Sequence, residues 1–591
     1  MCGIAGLMTR DGSRPAQGAL EAMRVALAHR GPDGSGVHVR DDVGLVHVRL
    51  SIIDLETGDQ PLFASDGAAL VGNGEIYNYV ELRAADPAYP YRTKSDCESA
   101  LAAHATGGSA FAEGLRGMYA LALHDPRAGR LLLARDPFGI KPLYYAEDAR
   151  GFAFASEPQA LRAAGFGAAP PDAAARDQLL EMQFVAGTAT IFPGIFRLAP
   201  GETLIVAGGR ILERRRRACL PQGGPIPRGE AEALRDFDRA FEDSVRVHQR
   251  ADVPYGMFLS GGIDSSAVLA MMARLNERPV RAFTAFFPET EAADERTAAR
   301  RVAAATRAEL AEIPVARADF LADLPAIAAA MDDPAADYAI VPSWVLARAA
   351  RRAGLKVVLS GEGGDELFAG YGRYRAAMRP WWLGGRAMRR KGTFDRVRAL
   401  TVATDGWRGA LAAAEAAAQG LGRTRLQVAQ AVDVADWLPH DLLIKLDRCL
   451  MAHGVEGRTP FLDPVVADFA FRLPDTLKTR KRWGKWLPRK WLDAVLPAAA
   501  AFAPKQGFTV PVQAWIAADG ARLGALVAAT AGVAAIAEPA AVRRLFEKSA
   551  EKRAGFAAWT LLFYALWHRR HALGLPPDGD VFHALDTARG T

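Results

Sequence analysis

Cysteine is scarce. Only four of 591 residues are Cys, at positions 2, 97, 219 and 449, and no two stand in a CxxC arrangement, which excludes a disulfide framework or structural zinc cluster and points to a reducing, cytoplasmic setting. A strong charge of either sign is also missing. The 73 Lys and Arg against 67 Asp and Glu leave a net +6, too dilute to read nucleic acid as a partner despite a pI of about 9.1. No long uninterrupted apolar run is present: the most apolar stretch, 523–542, is rich in alanine and broken by Glu538-Pro539, which excludes a membrane span. No basic-then-apolar leader opens the sequence. What is abundant is ordinary core material. Half of the residues are hydrophobic, enough for two or more domains with real cores.

Cys2 follows Met1 directly. Removal of Met1 leaves a thiol (pKa about 8.5) and an α-amine (pKa roughly 8) on one residue, a nucleophile with its own base. On its own, Met-Cys is most often an accident of position, so the rest of the chain has to decide.

Two textures follow. Up to about residue 205 the expected strands are short and turn-linked, at Met118 to His124, Arg130 to Ala134, Tyr144, and Phe152 to Ala155. A helix over Gln17 to Ala28 carries Leu20, Met23 and Leu27 on one face. These features predict an antiparallel sheet packed with helices. Arg214 to Arg217, and then Pro221 to Pro227 with its glycines, read as part of an interdomain linker over 206–230. From 231 to about 575 strands alternate with helices: Val253 to Leu259 then a helix from Ser265, Arg281 to Phe287 then a helix from Asp294, Lys356 to Leu359 then a glycine turn. Such alternation predicts a mostly parallel sheet that binds ligands at the carboxyl ends of its strands. Beyond about residue 380 the chain reads as largely helical.

The two sharpest motifs fall at those strand ends. Ser260-Gly261-Gly262-Ile263-Asp264-Ser265-Ser266 sets glycines after a strand and hydroxyls at a helix start, a phosphate cradle without the Lys of a Walker loop. Leu359-Ser360-Gly361-Glu362-Gly363-Gly364-Asp365-Glu366 crowds carboxylates beside it, which suits a Mg²⁺–nucleotide complex. SGGxDS resembles the pyrophosphate loop of the ATP pyrophosphatase superfamily.

Further motifs make the resemblance specific. Met1 to Gly6, His29-Arg30-Gly31-Pro32-Asp33-Gly34, Arg49 to Asp54, Asn73-Gly74-Glu75-Ile76-Tyr77-Asn78 and Arg135 to Tyr144 resemble a class II glutamine amidotransferase domain. With the two glycine motifs and Gly454 to Asp463, nearly the whole chain resembles the glutamine-hydrolysing asparagine synthetases. The resemblance implies an Ntn-hydrolase-like αββα sandwich over 1–205. It further implies a Rossmann-like adenine nucleotide alpha hydrolase-type α/β domain with a helical C-terminal part over 231–575.

It also implies roles. Cys2 attacks glutamine, with Asn73 and Gly74 as oxyanion donors; Arg49, Leu50, Ser51, Ile52, Ile53, Glu75 and Asp96 complete the glutamine site. Leu259, Ser260, Gly261, Gly262, Asp264, Ser265, Ser266, Ala285, Ser360 and Gly361 bind ATP; Asp264 and Asp365 hold Mg²⁺; Glu362 serves acyl-adenylate formation, and Lys485 steadies negative charge. Lys485 lies in a run of seven basic residues between Lys478 and Lys490, interleaved with Trp483 and Trp486, which suits a polyphosphate better than nucleic acid. The implied partners are small molecules (glutamine, ATP, and aspartate or another carboxylate acceptor), with no membrane; a homodimer is compatible with the resemblance.

Three departures bear on the acceptor: Asp333 where relatives commonly place glutamate, Ala308-Glu309-Leu310 without a histidine, and Cys449-Leu450 in place of Ser-Met. Three readings follow: an asparagine synthetase; the same chemistry on another acceptor in a dipeptide, lasso-peptide or surface-polysaccharide pathway; and a catalytically silent binding protein on this scaffold.

Overall fold

The computed structural model describes residues 2–288, 295–383, 385, 388–504 and 510–587. Its first part is a sandwich of two six-stranded antiparallel sheets. One runs in the order Ile195–Arg197, Tyr144–Asp148, Gly151–Ala155, Gly3–Thr9, Val43–Arg49, Gly34–Arg40; the other runs Arg210–Arg216, Glu202–Ala207, Arg130–Arg135, Gly117–Asp125, Ala69–Ile76, Leu62–Phe63. Strand alternation explains the layers. Ile4 and Met8 point between the sheets against Val71, Ala122 and Phe154, whereas Ala5 and Leu7 face the cluster formed with Leu20, Met23 and Leu27 of helix Gln17–Leu27. The outer face of the second sheet is covered by helix Glu98–Gly107 through Ala100 and Leu101. The αββα layering is the one the resemblance implies.

The expected linker needs correction. Arg210–Arg216 is an edge strand, paired with Glu202–Ala207, so the first domain's fold extends past 205. Arg214 reaches Glu202 and Tyr145, and Arg215 pairs with Glu213. A charged edge strand lacks the apolar alternation that marks a strand in sequence, because its charges guard the open edge instead.

The second part holds a five-stranded parallel sheet in the order Glu309–Pro314, Arg281–Phe286, Tyr255–Phe258, Val357–Leu359, Glu456–Arg458. Helix Ile263–Leu275 follows the first sharp motif. The helix expected from Asp294 runs over Arg296–Thr306, and Asp294 itself lies outside the described residues. The remainder is helical. Helix Lys552–His571 is largely buried and tied by its indoles: Trp559 donates to Ala336 O at 2.7 Å and Trp567 to Met331 O at 2.9 Å. Among the described residues no helix is long and apolar enough to cross a membrane. One stretch, Asp433–Leu442, winds as a π-helix before returning to α-helix over Leu443–Met451.

Two candidate active sites

Cys2 stands at the mouth of strand Gly3–Thr9 and is 8% exposed. Its backbone nitrogen donates to Asn73 Oδ1 at 3.1 Å. That bond orients the Asn73 amide, whose Nδ2 is buried and without a partner, a donor held in reserve as an oxyanion hole requires. Gly74 follows at φ +140°, where a Cβ would lie 2.0 Å from Met118 O; only glycine fits. Burial pushes the Cys2 thiol up, and the Leu50 amide and Arg49 pull it back. Leu50 and Ile52 are buried and Ser51 and Ile53 half-buried in the loop after strand Val43–Arg49. Arg49 is nearly buried, donating to Asp54 O and, at 2.7 Å, to the exposed Asp59. Asp96 accepts the Ile76 amide at 2.6 Å, and burial pushes its carboxyl up to about 6. Glu75, pushed well up by burial and then by Glu456 and Asp96, lies 3.5 Å from Arg458 of the parallel sheet.

The second site gathers at the carboxyl ends of the central parallel strands. Leu259 is buried, and Ser260 Oγ lies 3.0 Å from Ser265 Oγ and receives the Gly262 amide at 3.2 Å, which shapes the loop. Gly261 takes φ +71°, and a Cβ there would approach Ala298 to 2.9 Å. The two glycine motifs touch: a Cβ on Gly361 would stand 2.8 Å from that of Asp264. Ser266 and Ser360 keep buried hydroxyls without partners. Ala285 is buried in strand Arg281–Phe286 beside them.

Lys485, in the left-handed region at φ +52°, caps helix Trp486–Val495 and bridges Asp264 and Asp365, the latter at 2.6 Å. Against the cost of burial the two carboxylates raise it above the ordinary lysine range. Burial raises Glu362, with Lys445 opposing and Asp337, Asp365 and Asp264 adding to the rise. Of the seven basic residues between Lys478 and Lys490, Lys485 is ion-paired with these carboxylates, and Arg489 interacts with both electrostatically. Lys478 is buried against Gln430 and Phe471 O, Arg480 pairs with Glu230, and Arg489 donates to Gly484 O and Ala501 O.

Residues 236–569 match the asparagine synthase family, and residues 1–216 match the glutamine amidotransferase domain family. The chain is 34% identical to a putative glutamine-hydrolyzing asparagine synthetase of Mycobacterium tuberculosis, over 96% of this chain and 97% of that one. It is 31% identical to glutamine-hydrolyzing asparagine synthetase 1 of Bacillus subtilis, over 96% of each, and 30% identical to asparagine synthetase B of Escherichia coli, over 87% and 83%. The chain belongs to the asparagine synthase family. Its first 216 residues are a glutamine amidotransferase domain.

In this family member the two domains meet across a buried ionic seam that sequence reasoning missed. Arg30, fully buried, donates to Cys2 O at 3.1 Å, to Glu157 at 2.6 Å and to Asp447 at 2.8 and 3.0 Å. Arg448 extends the seam from Glu157 (3.2 Å) to Asp332 (3.0 Å). The signal was present in His29-Arg30-Gly31 and Asp447-Arg448, but a pairing across 417 positions has no periodicity to announce it. The departures also find places. Asp333 takes Arg197 through both oxygens at 2.6 Å and Tyr144 at 2.7 Å, so it joins the domains rather than reading an acceptor. Cys449 is buried against Ile340 O, and Glu309 opens the outermost parallel strand.

Proposed function

We propose that the chain is a glutamine-dependent asparagine synthetase, an ATP-dependent carbon–nitrogen ligase. The observation that carries this is Arg30, which holds the carbonyl of the nucleophilic residue and the Asp447 carboxylate of the synthase domain in one buried cluster: the amide-hydrolysing and ATP-activating halves are built to face each other. With Met1 removed, the Cys2 nitrogen that now donates to Asn73 becomes the α-amine that takes the thiol proton. The thiolate attacks the glutamine amide carbon, the oxyanion gathers the Asn73 Nδ2 and Gly74 donors, the protonated α-amine gives its proton to the departing nitrogen, and ammonia leaves a glutamyl thioester that water hydrolyses to glutamate. Arg49 grips the glutamine α-carboxylate, while Asp96, with Glu75 behind it, receives the α-ammonium.

At the other site the loops 259–266 and 360–361 cradle ATP, and the carboxylate of aspartate attacks the α-phosphorus. Pyrophosphate departs against Lys485, and ammonia displaces AMP from the acyl-adenylate. Asp264 and Asp365 fit a Mg²⁺ site. Among the described residues no group of three or more His, Cys, Asp or Glu is arranged for a metal, and Mg²⁺ takes one or two carboxylates and draws its other ligands from phosphate and water. Bound there, it would neutralise charge on the phosphates. The buried boundary between the sites suits ammonia, which loses its nucleophilicity once protonated in bulk water. Four free thiols, one of them the nucleophile, suit a reducing cytoplasm.

The test is product analysis with glutamine, ATP, Mg²⁺ and aspartate. Asparagine, glutamate, AMP and pyrophosphate should appear in equal amounts. Glutamate without asparagine sinks this reading and leaves the same chemistry on another acceptor.

A further inference from the structure

Lys481 and Arg482, from the basic run between Lys478 and Lys490, belong to neither site. They form the tip of a tight turn in which Arg480 and Trp483 exchange backbone hydrogen bonds of 2.9 and 3.0 Å. Lys481 takes φ +55°, the left-handed region that residues with a side chain enter at a cost. Opposite the tip stand Gly372, Arg375 and Ala376 of helix Gly372–Met378 and Arg379 just after it. Together these six residues line a hollow of about 500 Å³, the size of a small-molecule site.

The charge of this hollow is all of one sign. Arg375, Arg379, Lys481 and Arg482 are exposed cations, no acidic residue lines the hollow, and among the described residues none of the four is ion-paired with a carboxylate. Their neighbours differ: Arg373 takes Asp433 at 2.8 Å, and Arg480 takes Glu230 at 3.2 Å. Arg375 instead donates to Arg482 O, which ties the two walls together and keeps their cations close. Like charges gathered in this way repel one another and oppose folding, and an anion between them relieves that cost. The hollow also adjoins the phosphate end. Lys485 N donates to Phe368 O at 3.0 Å, and a Cβ on Gly370 would meet both Lys485 and Asp365, so the segments 368–372 and 481–485 run side by side from Lys485 out to the two walls.

We propose that this hollow is a second polyphosphate site, outside the loop 259–266, and that it receives the inorganic pyrophosphate leaving Lys485. Arginine forks fit phosphate oxygens two at a time, and three of the four cations are arginines. In adenylation the acceptor oxygen bonds to the α-phosphorus, and the bond to the bridging oxygen breaks with its electron pair going to pyrophosphate. A pyrophosphate that stays at Lys485 can attack the acyl-adenylate and rebuild ATP; one drawn out to the hollow cannot. The assignment rests on the reading of the chain as an ATP-dependent ligase. The triphosphate of a second nucleotide shares this chemistry, so the experiment has to separate the two.

The full-length enzyme is saturated with α,β-methylene-ATP, which fills the inner site and is not cleaved there. Bound analogue and bound radiolabelled inorganic pyrophosphate are then counted by equilibrium dialysis at fixed Mg²⁺. One analogue and one pyrophosphate should bind per chain. Two double variants remove one wall each: Lys481→Gln with Arg482→Gln, and Arg375→Gln with Arg379→Gln. Each should weaken pyrophosphate binding on the order of tenfold, the scale of two solvated ion pairs, with the analogue count unchanged. Arg543→Gln with Lys548→Gln, which removes the same charge from exposed positions outside the hollow, should leave pyrophosphate binding as it was. The melting temperature and glutamine hydrolysis at the Cys2 site report that each variant is folded.

If pyrophosphate does not bind beside the analogue, or binds equally well to both wall variants, this assignment falls alone. If two analogues bind per chain and the wall variants lose the second, the hollow takes a nucleotide and the pyrophosphate assignment falls. If no analogue binds to the unaltered enzyme, the ligase reading falls with it.

Discussion

The Cys2 site is made from strands, and the Lys485 site from the loops that follow strands. Cys2 stands beside strand Gly3–Thr9 of one sheet, and Asn73 and Gly74 lie on strand Ala69–Ile76 of the facing sheet, each strand held in register by its own partner. Asp264, Asp365 and Lys485 come from three segments spread over more than 200 positions, meeting where parallel strands end. The contrast suits the chemistry proposed for each site. Splitting a neutral amide calls for one nucleophile and oriented dipoles. Holding a polyanion beside a carboxylate calls for backbone amides, balanced charge and small residues that let the backbone come close.

Breaking each site separately sharpens the comparison, and the largest effect should come from the nucleophile. Cys2→Ala should cost glutamine-dependent synthesis more than about a thousandfold and leave synthesis from added ammonium salt within about twofold. A comparable loss with ammonium would merge the two sites into one. Asn73→Ala should slow glutamine hydrolysis roughly 100- to 1,000-fold through its oxyanion donor, with pyrophosphate exchange unchanged. Lys485→Met leaves Asp264 and Asp365 facing each other without their shared cation. Exchange should fall on the order of a hundredfold while glutamine hydrolysis persists, and simultaneous loss of hydrolysis would show that the lysine supports the whole fold.

The smallest effect is a pH limb. Burial holds Asp96 up at about 6, above the ordinary value of about 3.9. Protonation therefore favours the folded chain: the carboxyl's stabilising contribution is fully present below about pH 4 and is lost as pH rises through about 6. Glutamine's ammonium asks for the opposite, a charged carboxylate. From pH 6 to 5, kcat/KM for glutamine should fall towards tenfold per unit, and the limb should vanish in Asp96→Asn. A limb that survives the substitution assigns the ammonium to Glu75 instead.

Much of this was legible in sequence because it is local. Helix Gln17–Leu27 shows in the spacing of Leu20, Met23 and Leu27, and the phosphate loop shows in its glycines. Where local pattern was weak, the reading slipped. The strand Arg210–Arg216 carries arginines where alternation was sought, and Lys478 sits in a basic run yet is buried.

By itself, the sequence determined the order of the two domains, a cysteine at position 2, the two glycine loops and the basic run that contains Lys485. These are short-range features, set by residue type and spacing. Tertiary structure alone decided that Arg30 reaches from Cys2 to Asp447 and that Lys485 bridges Asp264 and Asp365. Each depends on charges from distant segments being enclosed together, where low dielectric makes their pairing strong, and no local pattern encodes which of many charges will be enclosed.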